Sequence, residues 1–243
     1  DVPASEVPGE KLATTQPFPT KPPAFEMQGI SEDDLIDFTP ELRREALEVM
    51  VDYDMGPLFN PPIHRGNAAG KISSAMCPGD GGGANIYAPP VADPTSGFLY
   101  VPSSKACSWQ SIIPGEESDA RIEQPTGTTF SAYANGPRTR PPRLASGLPY
   151  FKPPYASITA YDMNTGEIAF KIPTGETPGR IRNNPALEGV DIGDTGAGGA
   201  VSMVATANML VYSGMDSDGD TVLLYAIDKK TGKELGRIEV PAA

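Results

Sequence analysis

The sequence predicts an all-β fold assembled from a repeated unit of propeller-blade size, and three observations carry that prediction. First, 26 glycines and 27 prolines among 243 residues are too much punctuation for a helical bundle. They are also too evenly scattered for collagen, and they suit short strands joined by many turns. Second, one turn signature recurs: Asp93-Pro-Thr-Ser-Gly97, Asp162-Met-Asn-Thr-Gly166 and Asp228-Lys-Lys-Thr-Gly232, each followed by a strand-like run. In each, the Asp side chain opens the turn and the Gly four residues on accepts a left-handed backbone that folds the next strand back. Third, matching strand sequences, Ser157-Ile-Thr-Ala-Tyr161 and Leu223-Leu-Tyr-Ala-Ile227, precede the second and third turns, and the unit recurs at roughly 70-residue spacing.

Composition narrows the function classes. With 31 acidic against 19 basic residues the net charge is −12, so the chain lacks the basic surface that a nucleic-acid partner requires. The long uncharged stretch Gly196 to Met215 is interrupted by Ser202, Thr206, Asn208 and Ser213 and reads as strands, not as a membrane span. No apolar signal segment is present and the chain begins at Asp1, which reads as a mature, processed or partial polypeptide.

Residues 1–30, with Pro at 3, 8, 17, 19, 22 and 23, form an extended tether laid over a surface, for which Phe18 and Phe25 are the expected anchors. Residues 31–56 form a helical insertion. Ser31 with Asp34 resembles a capping box, and Thr39-Pro40 supplies an N-cap with Pro at the first helical position. Leu42, Ala46, Leu47, Val49 and Met50 make one apolar stripe, and Gly56-Pro57 stops the segment. Residues 57–243 are the β part. Cys77 and Cys107 lie far apart without a CxxC pattern, which argues against zinc; they pair in an oxidising compartment or sit as two buried thiols.

Gly79-Asp-Gly-Gly-Gly-Ala-Asn85 is the sharpest candidate site, because consecutive glycines admit a flat ligand close to the backbone and the Asn amide both donates and accepts. The segment lacks the Lys-Ser/Thr ending of a nucleotide loop, and its plain alternative is a hairpin loop. Gly196-Ala-Gly-Gly199 is the second glycine segment, standing before the strand that begins at Val201. Asp216-Ser-Asp-Gly-Asp220 alternates carboxylates as a calcium loop does but lacks the closing Glu, so it reads as a hairpin tip. Arg138, Arg140 and Arg143 form a proline-stiffened basic loop. His64, the sole histidine, reads as a loop residue without metal or triad partners.

Several segments together resemble the C-terminal portion of membrane glucose dehydrogenase-like quinoproteins, the pyrroloquinoline quinone (PQQ) dependent alcohol and sugar dehydrogenases. They are Thr15-Gln-Pro-Phe-Pro-Thr-Lys-Pro22, Asp33-Asp-Leu-Ile-Asp-Phe-Thr-Pro40, Gly56-Pro-Leu-Phe-Asn-Pro-Pro62, Gly82-Gly-Ala-Asn85, and Lys152-Pro-Pro-Tyr155 with Ile158-Thr-Ala-Tyr-Asp162. The resemblance covers nearly the whole chain. It implies an eight-bladed quinoprotein β-propeller, of which this chain supplies about three blades with turns at 93–97, 162–166 and 228–232. A second polypeptide, or the remainder of a longer one, would supply the rest, since a partial propeller leaves open sheet edges. By the same resemblance, Asn85, Gly83, Ala84, Ala197 and Gly198 contact PQQ, with Ala197 where the family often carries a bulky residue and with the backbone donors of Ala197 and Gly198 free to serve the cofactor. No segment matches the family's catalytic aspartate or its calcium ligands, which places both outside this chain. The implied activity is oxidation of an alcohol or sugar hydroxyl, with electrons passing to ubiquinone or a cytochrome. The implied location is the periplasm, in association with the inner membrane through another segment or subunit. The alternative is a non-catalytic propeller module for protein assembly. The family repeat places Trp four residues after the turn Gly; here those positions hold Phe170 and Gly236, which predicts a loosely docked last blade.

Overall fold

Each Asp-to-Gly turn closes as its residues require. The N–H of Gly97, Gly166 and Gly232 donates to the carbonyl of Asp93, Asp162 and Asp228 at 2.9, 2.7 and 3.0 Å. The Asp carboxylate accepts a backbone N–H two residues on, from Thr95, Asn164 and Lys230. All three glycines have positive φ, between 72° and 76°, where a Cβ would be strained.

The structure is a computed structural model that describes residues 1–84, 86–117, 132–136, 141–199 and 201–241. In chain order the strands are β1 (Tyr53–Asp54), β2 (Ile63–His64), β3 (Ser73–Met76), β4 (Val91–Asp93), β5 (Phe98–Ser104), β6 (Ser108–Pro114) and β7 (Tyr133–Asn135). They continue as β8 (Ala156–Asp162), β9 (Glu167–Pro173), β10 (Met203–Ala205), β11 (Met209–Met215), β12 (Val222–Asp228) and β13 (Glu234–Val240); the α-helices are α1 (Pro40–Met50) and α2 (Gly179–Arg182).

Two sheets are four-stranded and antiparallel, β4-β5-β8-β9 and β10-β11-β12-β13, and a third is a five-stranded mixed sheet, β1-β3-β6-β2 with β7 on β6. The turns at 93–97 and 162–166 both belong to the first four-stranded sheet, because its β4–β5 and β8–β9 hairpins close with the same chemistry. One turn per sheet is therefore not the rule. The two four-stranded sheets are close copies: each breaks register between an Ala and the residue after it, at Ala160/Tyr161 and at Ala226/Ile227.

Alternation on β11 and β12 turns Leu210, Tyr212, Leu223, Tyr225 and Ile227 toward the first sheet, where they meet Tyr100, Ile158 and Ala160 in one buried cluster. Phe170 belongs to this interface. A Cβ on Gly232 would stand 2.7 Å from the Phe170 ring, so the aromatic seats directly on the glycine of the neighbouring turn. Gly236 sits on the opposite face, paired with Ala226, with nothing within 4 Å of where its Cβ would be. The place of the missing aromatic thus lies on the face turned away from the contact between these two sheets.

A second core lies under the mixed sheet, where Leu42, Ala46 and Met50 of α1 pack near Leu35, Ile36 and Trp109. Thr39 caps α1 by accepting the Leu42 N–H at 3.2 Å, and Asp34 accepts the Ser31 N–H at 2.8 Å, as the two start signals predict. His64 lies in β2, not a loop; its Nδ1 accepts the Gly66 N–H and its ring meets Tyr133 edge-on. The tether docks through residues 21–30. Lys21 covers the Gly166 turn and pairs with Glu167 at 2.6 Å, Pro23 accepts the Tyr161 hydroxyl, and the buried Glu26 accepts the Ser103 hydroxyl at 3.1 Å. Phe18 does not anchor it. Its ring is 55% exposed and meets the ring of Phe59 edge-on.

Candidate functional site

Both glycine segments lead into the first strand of a four-stranded sheet: residues 79–84 precede β4, and residues 196–199 precede β10. The two strands are neighbours that run the same way, because one ammonium holds both of their C-terminal ends. Lys229 Nζ lies 2.5 Å from Asp93 Oδ2 at the end of β4 and donates at 2.9 Å to the Thr206 carbonyl just past β10. The glycine segments therefore share the opposite rim.

Main-chain bonds tie that rim together. Gly83 exchanges two bonds with Ser104, Lys105 N–H donates to the Tyr155 carbonyl, and Tyr155 N–H donates to the Thr195 carbonyl, each at 2.8 to 3.2 Å. Thr174 N–H donates to the Ala156 carbonyl, and Ala197 N–H donates to the Thr174 carbonyl at 2.8 Å. The line runs from one glycine segment to the other without relying on a side chain.

The rim has room for a flat ligand at particular places. At Gly198 and Gly199, with φ of 82° and 97°, nothing lies within 4 Å of a would-be Cβ. Gly196 is the reverse case, since a Cβ there would stand 2.6 Å from the Ala156 carbonyl oxygen. Ala197 packs its Cβ on Gly175 and shares a cleft of about 300 Å³ with Gly198, Arg180 and the Asp216 to Gly219 loop. The expectation of two free backbone donors is corrected at Ala197, whose N–H is spent on Thr174; the N–H of Gly83 is likewise spent on Ser104. Asn85, Arg138 and Arg140 lie outside the described residues; Arg143 is described and exposed.

Asp216 is a turn cap. Its Oδ1 accepts the N–H groups of Gly219, Asp220 and Thr221, which holds its carboxyl below the usual range. Among the described residues no three His, Cys, Asp or Glu side chains cluster as a metal would need. Cys77 and Cys107 form a disulfide with Cα atoms 4.5 Å apart. Two features escaped the sequence reading. Asp93, hydrogen-bonded by Lys229 and Ser96, has its carboxyl lowered to about 2. The buried Tyr155 hydroxyl has no hydrogen-bond partner among the described residues, and burial pushes its pKa well up. Neither carried a signal, since Lys229 reads as a solvated turn residue and Tyr155 as a strand-edge aromatic.

Two adjacent four-stranded antiparallel sheets, docked turn on aromatic with their inner strands side by side, are consecutive blades of a quinoprotein β-propeller. The chain belongs to the family described as PQQ glucose/ethanol/alcohol dehydrogenase, beta-propeller domain, which matches residues 1–243. It is 27% identical over 98% of its length to a quinate/shikimate dehydrogenase (quinone) of Acinetobacter baylyi, of which it covers 29%. It is 25% identical over 99% of its length to a probable quinate dehydrogenase (quinone) of Xanthomonas campestris pv. juglandis, covering 30% of that protein. The chain thus spans under a third of these relatives. Among solved structures, quinohemoprotein alcohol dehydrogenase ADHIIG from Pseudomonas putida HK5 matches 75% of this chain and 22% of its own at 18% identity and a TM-score of 0.41. A europium-containing methanol dehydrogenase matches 69% and 22% at 19% identity and a TM-score of 0.37. No helix among the described residues is long and apolar enough to cross a membrane.

Proposed function

We propose that this chain forms one side of the cofactor site in a PQQ-dependent dehydrogenase that oxidises a hydroxyl group of a small alcohol, sugar or cyclic hydroxy acid. The observation that carries the reading is the shared rim, where two glycine segments far apart in sequence are joined by main-chain bonds and stand open at Gly198 and Gly199. Those open backbones fit the edge of a planar ring. Bound PQQ supplies a two-electron acceptor for the hydroxyl carbon.

The roles of this chain's own residues follow. Gly83 and Ala84 set the height of the first segment, and Asn85 is placed by the sequence pattern to hydrogen-bond a ring oxygen. Ala197 and Gly198 form the second contact, with Ala197 leaving space where a larger side chain would fill it. The general base and the calcium ligands lie in the other blades, and electrons pass on to a quinone or cytochrome in the periplasm. The names of the two relatives, both quinone-linked quinate dehydrogenases, support a cyclic hydroxy acid over a simple alcohol.

The remaining blades dock on the outer face of β10–β13. There Val204 and Ile238 are 62% and 63% exposed, and the row Val204, Val211, Ala226 and Gly236 faces away from this chain. A cover of further sheet is what such a face requires. A binding titration tests the function: Asn85→Ala in the complete propeller should weaken PQQ about tenfold or more, the loss of one or two hydrogen bonds. Unchanged binding removes Asn85 from the site.

A further inference from the structure

We propose that the Cys77–Cys107 disulfide is a positioning device for the first glycine segment, holding it at the height the cofactor needs. The inference rests on the cofactor reading above.

The bond sits where two chains cross. Cys77 follows β3 and Cys107 precedes β6, strands that pair antiparallel up to Met76 and Ser108. Beyond the sulfurs the glycine segment is laid along residues 104–108. Gly79 N–H donates to the Ala106 carbonyl at 2.9 Å, Asp80 N–H to Ser108 Oγ at 2.6 Å, and Gly83 N–H to the Ser104 carbonyl at 2.8 Å. The approach is as close as backbone allows. A Cβ on Gly79 would stand 2.0 Å from Ser108 N, and one on Gly82 would stand 2.5 Å from the Ala106 oxygen.

A run of this kind has the most to lose on ordering, because glycine has more backbone freedom than any other residue. Four hydrogen bonds to residues 104–108, one of them to a hydroxyl, hold residues 79–83 without any covalent tie of their own. A covalent tie two residues before Gly79 removes most of the open conformations at once. The blades do not depend on it. The cluster between them contains no cysteine, and the bonds across the rim from Lys105 to Tyr155 and Thr195 are independent of the sulfurs. Losing the disulfide should therefore free this segment and leave the two four-stranded sheets intact, Cys77 and Cys107 lying instead at the core under the mixed sheet.

The test is amide hydrogen exchange on the Cys77→Ser/Cys107→Ser variant of this chain, with the unsubstituted chain reduced by dithiothreitol as a second sample. PQQ titration of the same variant in the complete propeller accompanies it. Exchange at residues 79–83 should speed up about tenfold or more while β8 and β11 keep their protection, and PQQ should bind about tenfold more weakly. Unchanged exchange at 79–83, or an equal rise in every strand, overturns the proposal in favour of a general staple. Failure of the oxidised propeller to bind PQQ overturns the cofactor reading instead, and the exchange data still decide whether the disulfide fixes the segment.

Discussion

Lys229 Nζ and Asp93 Oδ2, from residues 136 positions apart in sequence, form an ion pair that pins the turn of one blade to the strand end of the next. Their side chains are 11% and 8% exposed, and the Tyr100 hydroxyl completes the contact by donating to the Lys229 carbonyl. Lys229→Met should lower the melting temperature more than the double change Asp93→Asn/Lys229→Met, because the single change strands a buried carboxylate. Equal melting temperatures would show that the pair is idle.

Acid should loosen the same contact. The Asp93 carboxyl titrates at about 2 in the folded chain against about 4 when unfolded, so the folded form binds the proton less readily. The stabilisation is fully present above pH 4 and is lost as the pH falls from about 4 toward 2. Urea midpoints measured across that range should fall less steeply for Asp93→Asn. Asp216 and Asp228, whose carboxyls are also lowered by turn hydrogen bonds, keep part of the slope in that variant.

Phe170 and Gly236 occupy equivalent places in the two blades and should respond oppositely. Phe170→Ala removes the ring that seats on Gly232 and should cost about 2 kcal/mol in denaturant unfolding. Gly236→Trp meets nothing within this chain and should change stability by less than about 0.5 kcal/mol.

Gly196→Ala combines a left-handed backbone with a contact 2.6 Å from the Ala156 oxygen. A loss of ~3 kcal/mol is expected, together with weaker PQQ binding. A variant as stable as the parent would mean that the rim moves freely at this point.

Tyr155→Phe deletes a buried hydroxyl that has no partner among the described residues and should raise stability by about 1 kcal/mol. Calorimetry decides the sign, and a loss would reveal a buried water bonded to the hydroxyl.

What was legible in the sequence was local. The Asp-to-Gly turns, the Thr39-Pro40 helix start and the docking role of Phe170 depend on residues a few positions apart, whose chemistry is the same in any context. The clamp between Asp93 and Lys229, the parallel pairing of β1 with β3 and β2 with β6, and the disulfide join residues that only the folded chain brings together. Phe18 shows the converse error: an aromatic in a proline-rich run looks like an anchor, yet the docking is done by Lys21, Pro23 and Glu26. The glycine segments were legible as candidates, but which of their amides are already spent, at Gly83 and Ala197, depends on distant carbonyls.

The bonds that link the two glycine segments run through peptide groups from Gly83 to Ala197. A backbone N–H and carbonyl are common to every amino acid other than proline, which lacks the N–H, so a lineage can exchange the side chains at 84, 155 and 197 while the shelf beneath them keeps its outline. Such a rim can be retuned for new substrates by point substitution, one pocket wall at a time, without a redesign of the scaffold that carries it.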